Sequence, residues 1–354
     1  MPVPCHKTLT DSQHCRNTKG EMPLQPVHSS LIHGSVLLLL ALLCLPGTAM
    51  ASSAPLAQEL SLHSRYLNES RSVRVFVPES YYDSSIDFPT LYVLDGQWYG
   101  NLVALTVNEA NRFIPLLPDF IVVAIDNQQR WKDFTEQTSE PSESRIYSGP
   151  YQAENFRNYL TSELIPKIEA QYRVNHHRLV FGYSLAGGFL AETLQQDPGL
   201  FSNYLLISPY LRWDSDAALR NLSTVKKALS SNNSTVLLAI GGDEDLDTRE
   251  PAIRLYHGLE AGGRILFDDY PNENHTSMPN AAIFNSLRSL YPHWFPDRAT
   301  GTAMSAEQHA AYFKKQHQHY LGTDEIQPNV YVFLCAWFGS IDIDGALPCE
   351  QQGR

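Results

Sequence analysis

The chain has 354 residues, 43% of them hydrophobic and 18% charged, and its 26 basic and 38 acidic side chains give a formal net charge of −12. This composition suits a folded globular protein of one large or two ordinary domains and excludes disorder or coiled coil as its main state. An acidic chain with no basic cluster is a poor partner for nucleic acid or for an anionic membrane surface.

The first feature along the chain is a leader. Ser35 to Leu45 reads SVLLLLALLCL, an apolar run too short for a typical membrane-spanning helix, and Ala49 and Ala51 then flank Met50 in an A-x-A pattern. The expectation is a secretory signal peptide over residues 1–51, cut after Ala51, with the exported chain starting near Ser52. An uncleaved anchor is the alternative, and Met1 and Met22 are both candidate starts. The leader carries Lys7, Arg16, Lys19, Asp11 and Glu21, so the remaining chain has a net charge of −13. Cys5, Cys15 and Cys44 go with it. Cys335 and Cys349 remain, either as one disulfide in an oxidising compartment or as two free thiols.

From residue 72 onward, short apolar runs alternate with longer amphipathic stretches. The runs are SVRVFVP (72–78), TLYVLDG (90–96), FIVVAID (120–126), RLVFGYS (178–184), YLLISP (204–209), TVLLAIGG (235–242) and RILFDDY (264–270). Most lack strict alternation, as strands covered on both faces do. Phe156, Leu160, Leu164, Ile168 and Tyr172 recur at helical spacing, with Pro166 expected to kink or restart that helix. Further helices are expected between Ser184 and Pro198, and around Ala252, Leu255, Tyr256 and Leu259. The alternation predicts an α/β fold, a mostly parallel sheet with helices on both faces, over residues 52–296. After Pro296 the polar stretch SAEQHAAYFKKQHQHYLG points to a helical C-terminal appendage, residues 297–354.

One corner carries chemistry. The run RLVFGYS ends in Gly182-Tyr183-Ser184-Leu185-Ala186-Gly187 and passes directly into a helical pattern, the arrangement in which a tight turn holds a serine hydroxyl above a sheet. Ala186 stands where the pattern has a second glycine. A serine needs a base, and the base needs a carboxylate. Asp243, Glu244 and Asp245 follow TVLLAIGG, and His275 follows RILFDDY in PNENHTSMP, so serine, acid and histidine occur in the order this fold uses. Leu185 supplies one backbone N–H for an oxyanion hole, and Gln97 in LDGQWYG the other. Trp98 and Tyr183 are candidate walls of the substrate pocket, with ordinary core packing the alternative for Trp98. Arg130 and Arg212 are candidates for a local basic site. No metal-ligand spacing is present: His317 and His319, two apart on a helix, point to different faces. No cofactor is expected.

The stretches LYVLDGQ, VVAIDNQQRWKDFT, FRNYLTSELIPKIEAQYRV, RLVFGYSLAGGFLA, LFSNYLLISPYLRWD and ENHTSMP resemble, in order, the putative-esterase family of α/β-hydrolases. That family includes siderophore esterases, feruloyl esterases and S-formylglutathione hydrolases. The resemblance covers residues 57–295 and is strongest to the siderophore-esterase branch, through LDGQ and SPYLRWD. It implies the α/β-hydrolase fold, Ser184 as nucleophile and His275 as base. The acid varies in position in this branch, so Glu244 is the first choice beside Asp243 and Asp245. Ala186, and Tyr210 where a serine is common, depart from the pattern and bear on substrate choice.

The expected function is an exported serine hydrolase that cleaves a small-molecule carboxylic ester through an acyl-enzyme. An acyltransferase on the same scaffold and a noncatalytic binding protein are the alternatives. The oligomeric state is not read from the sequence.

Overall fold

The computed structural model describes residues 56–261, 265–339 and 349, all within one contact-defined unit, Ser53–Arg354. The expected leader lies outside the described residues. Among those residues, eight strands form one sheet in the order β1-β2-β4-β3-β5-β6-β7-β8. They are β1 (Ala57–Ser64), β2 (Glu69–Phe76), β3 (Phe88–Val93), β4 (Ile121–Ile125), β5 (Val174–Tyr183), β6 (Asn203–Ile207), β7 (Thr235–Gly241) and β8 (Ile265–Tyr270). The two pairings made by β2 are antiparallel and the rest are parallel.

The sheet is a two-faced core because its strands read as near-continuous apolar runs. Every residue of β3, β4 and β6 is buried. Alternate side chains go to opposite faces. Val180, Tyr204, Leu206 and Leu238 meet α3 (Ala153–Tyr159), α4 (Ile165–Gln171), α5 (Leu185–Gln196) and α6 (Leu246–Glu260). Leu179, Phe181, Leu205 and Leu237 meet α1 (Gly96–Ala110) and α7 (Met278–Leu290). The short helix α2 (Arg130–Phe134) follows β4. Pro166 does not break the helix: the backbone stays right-handed helical from α3 through a π-helical turn, Leu160–Leu164, into α4, and the wider turn just before the proline accommodates its missing N–H.

Strand order reverses between β3 and β5. The chain leaves β3 through α1 toward β4 on one side, and leaves β5 through α5 toward β6 on the other. The carboxyl ends of these neighbouring strands therefore open a crevice flanked by two helix N-termini, where ligands bind in open α/β sheets.

The polar stretch after Pro296 contains α8 (Ala306–Leu321), followed by α9 (Pro328–Phe338). Phe313, Val330 and Leu334 form a small core of their own. Gln327 ties this pair back to the chain segment before β4: its side-chain amide donates to the Asp119 carbonyl at 2.8 Å and accepts the Asp119 N–H at 2.9 Å. Its own N–H donates to His317 Nε2 at 3.0 Å, while His317 Nδ1 lies 2.8 Å from the Phe313 carbonyl. His317 is buried and His319 exposed, so the two do point apart. Cys335 and Cys349 are joined in a disulfide, with Cα atoms 5.5 Å apart. No helix among the described residues is long and apolar enough to cross a membrane.

Candidate active site

Ser184 sits between β5 and α5 with φ 57° and ψ −120°, a conformation that non-glycine residues rarely adopt. Its peptide groups anchor the corner: the N–H donates to the Ile207 carbonyl at 3.0 Å, and its carbonyl accepts the Gly188 N–H at 3.0 Å and the Tyr210 N–H at 2.8 Å. The small residues are a packing requirement. A Cβ on Gly187 would lie 2.9 Å from the Pro209 Cβ, and one on Gly188 would overlap the Tyr210 carbonyl oxygen. Ala186 is fully buried against the same core, so one methyl is accommodated at that position.

His275 follows β8 in a loop braced by Asn274, whose side-chain oxygen accepts the Thr276 N–H at 3.0 Å and the Ser277 N–H at 3.2 Å. The loop is stitched to the one after β7 by Gly242 N–H to the Tyr270 carbonyl at 2.7 Å and Asp243 N–H to the Glu273 carbonyl at 3.0 Å. His275 Nε2 lies 3.0 Å from Ser184 Oγ, and Nδ1 lies 2.8 Å from Glu244 Oε2. An ionised carboxylate only accepts, so Nδ1 carries the proton and Nε2 is free to accept from the serine hydroxyl.

Of the three adjacent carboxylates, only Glu244 faces inward. Its other oxygen accepts from Ser208 Oγ at 2.5 Å and from the Gly241 N–H at 2.9 Å. Burial alone would raise its pKa; the hydrogen bonds from His275, Ser208 and Gly241 outweigh that and hold it below the usual carboxylate range. Asp243 is exposed, and Asp245 caps α6 by accepting the Thr248 N–H at 2.8 Å.

Gln97 and Leu185 are first-turn residues of α1 and α5, whose N–H groups have no intrahelical acceptor. The Gln97 side chain is bound reciprocally to the Asn127 backbone, at 3.0 and 2.9 Å, which holds this corner against the end of β4. Trp98 is 57% exposed and is not a core residue. Tyr183 is half-buried; its hydroxyl donates to the His275 carbonyl at 2.6 Å and its ring lies 5.0 Å from the imidazole, so it braces the histidine loop.

Arg130 is not a free basic group. Its Nε lies 2.9 Å from both carboxylate oxygens of fully buried Asp95, and the guanidinium sits 5.2 Å over the Trp98 ring. Burial pushes the Asp95 carboxyl up to about 7, and Arg130 opposes that shift. Arg212 is ion-paired with Asp247. Sequence reasoning did not single out Ser208 or Asp95. Ser208, buried at the end of β6 with φ 44°, left one sign: a serine directly after the apolar run YLLI, beside the elbow strand.

A donor, base and carboxylate chain beside two unpaired helix amides is equipped to move a proton from a hydroxyl and to receive a developing oxyanion. The family model described as "Putative esterase" matches residues 64–258. The ferri-bacillibactin esterase BesA of Bacillus subtilis is 28% identical over 276 residues, covering 70% of this chain and 93% of the relative. Among solved structures, an IroE-like serine hydrolase from Shewanella oneidensis superposes with a TM-score of 0.65 at 24% identity, covering 77% of this chain and 90% of that one. The siderophore hydrolase EstA from Aspergillus nidulans superposes with a TM-score of 0.56 at 20% identity, covering 69% and 96%. The fold is that of these hydrolases, and the chain belongs to the putative-esterase family.

Proposed function

We propose that the protein is an exported serine esterase acting on small carboxylic esters, with siderophore-type esters the first class to test. The observation that carries this reading is the continuous hydrogen-bonded chain Ser184–His275–Glu244 at the carboxyl edge of the sheet. Ser184 Oγ attacks the ester carbonyl while His275 Nε2 takes its proton, and Glu244 stabilises the imidazolium that results. The Gln97 and Leu185 N–H groups receive the oxyanion. Collapse of the tetrahedral intermediate expels the alcohol, which collects the proton from His275. Water then attacks the acyl-enzyme by the same steps and releases the acid. The names of the relatives support the substrate class, and the A-x-A leader supports export.

Ser184→Ala is expected to abolish hydrolysis of p-nitrophenyl esters and labelling by a fluorophosphonate probe. Activity above a tenth of wild type would remove Ser184 from the role. Comparing a p-nitrophenyl series with a feruloyl ester and a siderophore lactone ranks the substrates. Intact-mass spectrometry of exported protein checks for a chain that begins near Ser52.

A further inference from the structure

The base and the nucleophile come from strands that are not neighbours. Ser184 ends β5 and His275 follows β8, three places along the sheet, so their strand ends lie about 14 Å apart and the histidine loop must reach back across β6 and β7. The imidazole stays 41% exposed. Its hydrogen bonds to Ser184 and Glu244 leave from opposite sides of the ring, and a planar ring held at two edge points can still tilt about the line between them. The ties to the loop after β7 grip Tyr270 and Glu273, not the histidine itself. Tyr183 supplies what those ties lack. It is the residue before Ser184, and its hydroxyl donates to the His275 carbonyl at 2.6 Å. Burial pushes the pKa of that hydroxyl up, so it remains a donor at any pH where the protein would work. The Tyr183 ring lies against the imidazole, centroids 5.0 Å apart and planes tilted by 35°. It also meets the Tyr99 ring edge-on at 5.5 Å, and Tyr99 follows Gln97 by two residues on α1. One side chain thus bridges the oxyanion corner, the elbow and the base.

We infer that Tyr183 is a positioning residue and not a wall of the substrate pocket: its hydroxyl fixes the His275 peptide, and its ring steadies the imidazole in the plane that serves Ser184 and Glu244 together. The inference rests on the role proposed above for His275. The ring has a second effect during turnover. While His275 holds the proton of the serine it is a cation beside an aromatic ring, a contact that favours the charged form by about 2- to 30-fold.

The test compares Tyr183→Phe, which keeps the ring and loses the hydroxyl, with Tyr183→Leu, which loses both. On p-nitrophenyl butyrate, Tyr183→Phe is expected to lower kcat about tenfold and Tyr183→Leu about 100-fold, the scale of a base displaced by about 1 Å. KM should change less than about threefold in each, and the ranking of p-nitrophenyl chain lengths should match that of wild type. A crystal structure of Tyr183→Phe should show His275 Nε2 out of hydrogen-bond distance of Ser184 Oγ, or the imidazole in two orientations. A kcat within about twofold of wild type in Tyr183→Leu, equal losses in the two variants, a loss in KM alone, an altered chain-length ranking, or an imidazole unmoved in Tyr183→Phe would each overturn the inference. If Tyr183→Leu fails to fold, Tyr183→Phe decides it through its kcat, its KM and its structure. The crystallographic readout does not depend on activity. A wild type that hydrolyses no ester, with the imidazole displaced in Tyr183→Phe, would therefore count against the esterase reading and not against the positioning role.

Discussion

Asp243, Glu244 and Asp245 stand side by side, and what separates them is where the β7 turn sends each side chain. Glu244 alone is directed inward, where three donors hold it ionised against His275. Glu244→Gln is expected to lower kcat/KM by about 10³- to 10⁴-fold, the scale on which triad members are lost. Asp243→Asn and Asp245→Asn should stay within about tenfold, and a series of the three single variants with their triple combination checks for replacement by a neighbour. Ser208→Ala leaves one Glu244 oxygen short of a partner, and a loss of about tenfold in kcat with little change in KM is expected. Ser184, His275 and the acid loop were legible because each lies inside a local pattern at a strand end. Asp95 was not, because its task is set by a partner 35 residues away.

At the level of elements, β3 to β7 were legible as apolar runs because helices cover both faces of the sheet there, while β8, the other edge strand and only partly buried, was legible through its apolar start, Ile265 to Phe267. The edge strand β1 was not: its sequence AQELSLHS is largely exposed and pairs on one side only, so it lacks the apolar signal. The apolar run TLYVLDG was read through residue 96, whereas β3 ends at Val93 and α1 begins at Gly96. The elbow helix gives a sharper test of packing. Gly188→Ala places a methyl against the Tyr210 carbonyl and should lower stability by about 1–3 kcal/mol in urea denaturation. Ala186→Gly restores the family pattern, yet it should destabilise by about 1 kcal/mol through helix propensity while kcat stays within about twofold. A larger effect on kcat than on stability would mean that the methyl serves the substrate.

For the whole molecule, the joint between the α8–α9 pair and the rest depends on a neutral imidazole. Burial pushes His317 down to about 4, only partly offset by its bond to the Phe313 carbonyl. His177, in contact with the Tyr291 hydroxyl at 2.8 Å, is likewise pushed down to about 4 by burial. Between 6.5 and about 4 the unfolded chain binds these protons and the folded chain does not. Stability should therefore fall as pH drops through that window, by about 3 kcal/mol for each histidine, and level off below it. Urea midpoints measured from pH 7 to 4 check the slope. His317→Gln, which can still donate and accept, should remove about half of it.

The backbone of Ser184 has one more consequence, which concerns selection. A serine at φ 57° and ψ −120° costs of order 1–3 kcal/mol relative to an unstrained residue, in a class of molecule whose whole margin is about 5–15 kcal/mol. Glycine carries no such penalty. A directed-evolution library of this chain screened for heat tolerance alone should therefore enrich Ser184→Gly among its survivors, trading the hydroxyl for relief at the corner. The same library gated on ester turnover should never return it.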